Sequence, residues 1–179
     1  MLVGININLR VIDKEDINLY QQWINTSEIL GRYNPLREVS KESLQGIFAL
    51  SPDDFQAFII EKKDNKKIGV ILYFINKGGP YELLEIGYFL IPSERNKGYC
   101  SEAVKIFVDY LFLSKEIVRV QAATVTKNIG SQKVLEKAGF TKEGIIRKMM
   151  WCRGDWRDYL LYSILRDEWK EPQILKIKY

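Results

Sequence analysis

Ile91-Pro92-Ser93-Glu94-Arg95-Asn96-Lys97-Gly98-Tyr99-Cys100-Ser101-Glu102-Ala103 is the stretch from which the rest of the chain can be read. An apolar run, Leu83 to Ile91, stops at a proline. Polar residues follow, then Gly98, then a segment whose apolar residues Ala103, Ile106, Phe107, Tyr110 and Leu111 recur at i, i+3, i+4, i+7 and i+8. That spacing predicts a core-facing helix over about Gly98 to Leu113. A helix N-terminus presents unpaired N–H groups and the positive end of a dipole, which together favour an anion. Gly98 permits close backbone approach or a positive φ. Arg95 and Lys97 add charge, and the Ser101 hydroxyl adds a donor. Local chemistry thus reads as a phosphate cradle, with a plain solvated turn left open. The stretch fits neither a Walker A loop nor G-x-G-x-x-G.

Working outward, Leu9–Ile12 reads as a first strand. Asp13 caps a helix running to about Ser27, with Ile17, Tyr20 and Ile24 on one face. Glu28 to Arg37 reads as a loop, and Ser40 as the cap of a short helix through Leu50. Phe55–Lys62, Ile68–Ile75 and Leu83–Ile91 are strands, with a turn at Asp64–Lys67 and strong punctuation at Lys77-Gly78-Gly79-Pro80. After the long helix come a strand, Arg119–Val125, and a helix, Asn128–Ala138, stopped by Gly139. Two strands, Thr141–Cys152 and Trp156–Leu165, close the order around Arg153-Gly154-Asp155. The expected class is α/β (α+β), mixed with a large antiparallel share. It is not the regular alternation of a doubly wound sheet.

The 179 residues suit one domain, with a core over about residues 9–169. No run reaches the roughly 18 apolar residues of a membrane span, and the N-terminus lacks the pattern of a signal peptide, so the expected location is cytoplasmic. Histidine is absent. That removes Ser-His and Cys-His nucleophiles and the usual zinc sites, so no metal is expected. A general base must be Asp, Glu, Tyr, Lys or Cys, or act through water. The two cysteines, Cys100 and Cys152, lie far apart and are expected to be reduced. A net charge of +4, spread along the chain, contains no basic block that would indicate nucleic acid. It suits an anionic cofactor, or it simply keeps the protein soluble.

Arg95-Asn96-Lys97-Gly98-Tyr99-Cys100 resembles the Q/R-x-x-G-x-G/A signature of the GNAT superfamily of N-acetyltransferases. The wider run Ile86–Pro92 with Arg95–Ala103 is similar to that of its RimJ/RimL-type branch. A second block agrees: Asn128-Ile129-Gly130-Ser131, then Val134–Phe140, then Glu143-Gly144. Gly154–Tyr159 and Leu165–Trp169 also fit. One departure is Cys100, where the family carries Gly or Ala; a small thiol packs much as they do, with a reactive thiol as the alternative.

The resemblance implies a GNAT-like sheet whose central strands, Leu83–Ile91 and Arg119–Val125, splay apart around acetyl-CoA. It implies that backbone groups of Phe89, Leu90 and Ile91 pair with the pantetheine arm. Residues Arg95, Asn96, Lys97, Gly98, Tyr99, Cys100 and Ser101 would hold the pyrophosphate, with Asn128 and Ser131 on the other side. Asn128 also suits a helix cap. Glu85 shares a strand face with Gly87 and Phe89. It is a candidate base for the attacking amine, or alternatively a salt-bridge partner of the Lys62–Lys67 region. Ser131 is the candidate acid for the leaving thiolate. Tyr33 and Trp151 are candidate walls of the acceptor channel, with aromatic core packing as the alternative. The acceptor would be a protein N-terminal amine, as on a ribosomal protein, or a small-molecule amine. A homodimer is left open, and a catalytically silent CoA-binding sensor is the alternative.

Overall fold

The structure is a computed structural model, and it describes residues 1–76, 83–170, 172 and 174. The strands are β1 (Leu2–Val3), β2 (Ile7–Val11), β3 (Phe55–Lys62), β4 (Lys67–Asn76), β5 (Leu83–Leu90), β6 (Arg119–Val125), β7 (Thr141–Cys152) and β8 (Asp155–Leu165). The helices are α1 (Ile17–Asn25), α2 (Ser27–Leu30), α3 (Lys41–Phe48), α4 (Tyr99–Ser114) and α5 (Ile129–Lys137). The strands form one sheet in the order β1-β2-β3-β4-β5-β6-β8-β7. Every neighbouring pair is antiparallel except β5 and β6.

The central strands are buried on both faces, which is why β3 reads as the unbroken apolar run Ala57-Phe58-Ile59-Ile60. Phe58 and Ile60 face α4, where Phe58 meets Phe107 edge-on at 5.3 Å. Ala57 and Ile59 face α1 and α3, against Ile17, Tyr20, Trp23 and Leu44. Helix α4 carries its predicted stripe: Ala103, Ile106, Phe107 and Leu111 are buried.

Several boundaries differ from expectation. The first long strand is Ile7–Val11, and Leu2–Val3 pairs outside it. Two residues are too short for period-two alternation to show. Asp13 does cap, accepting from the Glu15 N–H, but it opens a single 3-10 turn, Lys14–Asp16, ahead of α1. The expected loop Glu28–Arg37 begins inside α2, a single turn closed by Gly31 at φ 77°. Helix α3 ends at Phe48, short of Leu50. The punctuation at Lys77–Pro80 lies outside the described residues.

The sheet opens at its centre. Strand β5 pairs with β4 along its whole length. With β6 it pairs only at Leu84↔Val120 and Glu85↔Gln121. Beyond Glu85 the strands diverge, and β6 follows β8. The free edge of β5 inside the sheet is the feature on which the site is built.

Candidate active site

The turn after β5 is built to leave amides bare. Pro92–Glu94 forms a 3-10 turn with Pro92 at its first position. Asn96 at φ 61° and Gly98 at φ 87° then alternate the backbone through left-handed conformations into α4. Among the described residues, no acceptor meets the backbone N–H of any residue from 96 to 101; the first amide of α4 to be bonded is Glu102, to the Gly98 carbonyl at 3.1 Å. Six donors at the head of a 16-residue helix make a nest for an anion.

The side chains of this turn serve another purpose. Arg95 donates Nε to the Leu90 carbonyl at 2.9 Å and a terminal nitrogen to the Ile29 carbonyl. Its guanidinium therefore ties the turn to α2, while its remaining N–H groups and its charge stay on the wall of the cleft. Lys66 and Lys97 clamp Glu94 at 2.7 and 3.0 Å and hold its carboxyl down at about 2. Cys100 lines the cleft, and burial pushes its thiol up to about 12, so it packs as a neutral thiol at ordinary pH.

Across the gap, α5 begins at Asn128, whose Oδ1 accepts the Ser131 N–H at 3.3 Å. The cap holds Ser131 at the mouth of the opening. Its Oγ lies 2.9 Å from the phenol oxygen of Tyr88 on β5. Tyr88 was not singled out from the sequence. The available signal was the alternation of β5, which sends Tyr88 to the α5 side while Glu85, Gly87 and Phe89 face α1. Phe89 packs there against Trp23 at 6.1 Å.

Three cavities run through this opening. The largest, about 670 Å³, lies between α2, β5 and α5. One of about 140 Å³ sits between the diverging strands, against Gly87 and Ala123. The first two share Tyr33, Asn34, Tyr88, Asn128 and Ser131 as walls. A third, about 220 Å³, is bounded by Asn96, Gly98, Ser101, Lys133 and Lys137. Arg153 closes one side by donating to the carbonyls of Asn34, Gly31 and Ser27 at 3.1, 3.3 and 3.4 Å.

Phe89 and Leu90 line the largest cavity, and Ile91 does not. The Ile91 N–H goes to the Ile68 carbonyl at 2.9 Å. Backbone direction alternates along a strand, so Ile91 and Phe89 turn their groups to β4, and Leu90 and Tyr88 to the open side. The expectation that a ligand pairs with backbone groups of Phe89 and Ile91 is thereby corrected, and of the three only Leu90 offers its groups to the opening. Tyr33 walls two cavities, with Arg32 stacked over its ring at 4.9 Å. Trp151 does not line them. It stands opposite Trp156, rings 5.8 Å apart, on an exposed part of the last hairpin. Its neighbour Cys152 is buried, and the pleat turns Trp151 the other way.

Glu85 sits where β5 and β6 are still paired. Its Oε2 accepts from Gln121 Nε2 at 3.0 Å, and no lysine of the 62–67 region reaches it. The carboxylate is half-buried and lines none of the three cavities; Gly87, two residues along the same face, lines the one between the strands. No group of side chains able to hold a metal ion occurs among the described residues. No helix among them is long and apolar enough to cross a membrane.

The acetyltransferase (GNAT) domain family matches residues 6–141. The probable N-acetyltransferase YjcK of Bacillus subtilis is 37% identical over 116 residues, 65% of this chain and 64% of YjcK's own length. The ribosomal-protein-S5-alanine acetyltransferase of Vibrio fischeri superposes with a TM-score of 0.79 at 27% identity, covering 94% of this chain and all of that one. RimJ of Mycobacterium smegmatis, solved in complex with CoA-disulfide, gives 0.81 over 95% of this chain and 87% of its own; at 22% identity the agreement is one of fold. With its sheet opened between β5 and β6, its bare amides at the head of α4 and a family match over most of its length, the chain belongs to the GNAT acetyltransferases.

Proposed function

We propose that the protein transfers an acetyl group from acetyl-CoA to the amino terminus of a peptide. The observation that carries this reading is the row of six acceptor-free amides, 96–101, at one end of a cleft that ends at Ser131. The chain's residues fit the co-substrate. The amides and the ammonium groups of Lys133 and Lys137 suit its phosphates. The open edge of β5, through Leu90, suits an extended amide-bearing arm. The bound group supplies an activated acetyl thioester.

The chain's own residues do the rest. Glu85, reached through water along the Gly87 face, takes the proton from the acceptor ammonium. The Leu90 N–H, which has no ladder partner on β6, donates to the oxygen that gains charge as the amine attacks. The Ser131 hydroxyl donates to the departing sulfur. Arg32, Arg95, Arg153, Lys133 and Lys137 bound the cleft against a single acid, Glu28. Of these, Arg32 alone stands beside Tyr33 on the acceptor side without a role in the phosphate end or in closing the cleft, and its charge there disfavours a polycation such as spermidine relative to an acceptor with one amine.

One observation favours a second reading, a CoA-binding module without catalysis: Glu85 lines none of the cavities. Thiol release separates the two. With acetyl-CoA, a peptide with a free amino terminus should release CoA, its N-acetylated form none, and spermidine little. Glu85→Gln should lower kcat about 100-fold near pH 7 and less at high pH, where the amine arrives deprotonated. If no amine releases thiol while CoA still binds, the module reading replaces the enzyme.

A further inference from the structure

Tyr88 and Ser131 are 43 residues apart in sequence and meet across the opening between β5 and α5. Two Ser131 atoms lie near the Tyr88 phenol oxygen: Oγ at 2.9 Å and the carbonyl oxygen at 3.3 Å. The phenol can donate to either; the carbonyl already accepts the Leu135 N–H of the helix and is the longer contact, so the nearer Oγ is the better acceptor for the phenol's one proton. The phenol makes no other hydrogen bond among the described residues. Burial, and next the Cys100 thiol, push the phenol far above its ordinary value of 10.0, so it keeps its proton throughout the working range. A phenol has one proton to give, whereas a serine hydroxyl can accept one hydrogen bond and donate another. The backbone of Ser131 is fixed separately, by the Asn128 cap.

We propose that Tyr88 is a positioning residue: it donates to Ser131 Oγ and so turns the Ser131 proton into the cleft, toward the sulfur of the co-substrate. The inference rests on the reading of Ser131 given above and deepens it. In the transfer, a C–N bond forms, the C–S bond breaks and its electron pair stays on sulfur. Ser131 meets that pair with a hydrogen bond, and Tyr88 loses no proton. The proton that completes the thiol comes from water, which has received the acceptor's proton by way of Glu85. Without the phenol, the Ser131 hydroxyl is free to rotate and share its proton with the Asn128 carbonyl one turn back. The sulfur then loses its donor, although every amide of the phosphate nest is intact.

Binding reads this without turnover. By calorimetry, the wild-type protein should bind CoA about fivefold more tightly than desulfo-CoA, the worth of one ordinary hydrogen bond. Ser131→Ala and Tyr88→Phe should each erase that preference and leave desulfo-CoA affinity unchanged. Tyr88→Phe should lower kcat about five- to tenfold with KM for acetyl-CoA held within about twofold. The double variant should be no slower than Ser131→Ala alone, because the two residues act as a unit. Tyr88→4-aminophenylalanine, which restores a donor, should restore the preference. If Ser131→Ala keeps the preference, the Ser131 reading fails and the inference with it. If Ser131→Ala loses it and Tyr88→Phe keeps it, Ser131 stands and Tyr88 is overturned. Equal weakening of both ligands in Tyr88→Phe marks a structural role and also overturns it.

Discussion

At the scale of single residues, Gly98 is the position where sequence and geometry agree most closely. Its φ of 87° lies in the region an L side chain resists, and a Cβ there would touch nothing within 4 Å. Gly98→Ala should therefore cost backbone strain alone, about 1–2 kcal/mol, and lower Tm by about 2–8 °C in a chain of this size. Gly98→Asn should cost less, since asparagine tolerates the left-handed region, as Asn96 does at φ 61°. Thermal unfolding of the two variants checks the ranking. Equal losses would show that asparagine's tolerance of the left-handed region gives no relief at this turn. Arg95 is the opposite case. Its charge beside a glycine reads as a phosphate ligand. Its neighbours in the fold, the carbonyls of Leu90 and Ile29, come from segments no local reading could bring together.

At the scale of elements, β2, β4 and the turn before α1 are locked by one buried carboxylate. Asp16 is fully buried and accepts from both terminal nitrogens of Arg10, at 2.9 and 3.0 Å, and from Lys67 at 2.6 Å. Burial opposes its charge, but Arg10 and then Lys67 outweigh burial and hold its carboxyl well below 3.8. A carboxyl depressed in the folded state adds stability above its unfolded value, and that share is lost as pH falls through the folded one. Asp16→Asn should cost about 3 kcal/mol at pH 7, or about 6–12 °C of Tm. The gap from wild type should narrow as pH drops below about 4. A constant gap would mean lost packing and not lost charge. The elements themselves were legible where their period was long enough: the stripe of α4, the doubly buried run of β3, and the order around Gly98. What escaped were elements without a period, the two residues of β1 and the single turn of α2. Pairing escaped as well. The salt bridge to the Lys62–Lys67 region, the alternative to Glu85 as a base, does not form; Gln121 reaches Glu85 because β6 lies alongside β5 for two residues and then leaves.

At the scale of the whole molecule, the cleft draws its walls from every part of the chain. Helix α2 and the segment to Asn34 come from the first fifth, β5 and α4 from the middle, and α5 and Arg153 from the last third. Arg95 and Arg153 join these parts through backbone carbonyls of the α2 region, and neither bond can exist unless the distant segments are folded. The sequence could name the residues of the cradle, but not this closure, which depends on contacts more than a hundred residues apart. A ligand that bridges the walls binds only the folded chain, so its binding free energy adds to stability by mass action. At 100 times its Kd, acetyl-CoA should add about 2.7 kcal/mol and raise Tm by about 5–11 °C. Hydrogen exchange should slow at the amides of 96–101 and at Tyr88 and Leu90 of β5, whose groups face the opening. Arg153→Ala removes one of the closing contacts without touching the amide nest. It should leave that protection at 96–101 in place and lose it across α2 and the segment to Asn34. Protection lost equally at both ends would show that the cleft closes as one piece, with Arg153 needed for the nest as well.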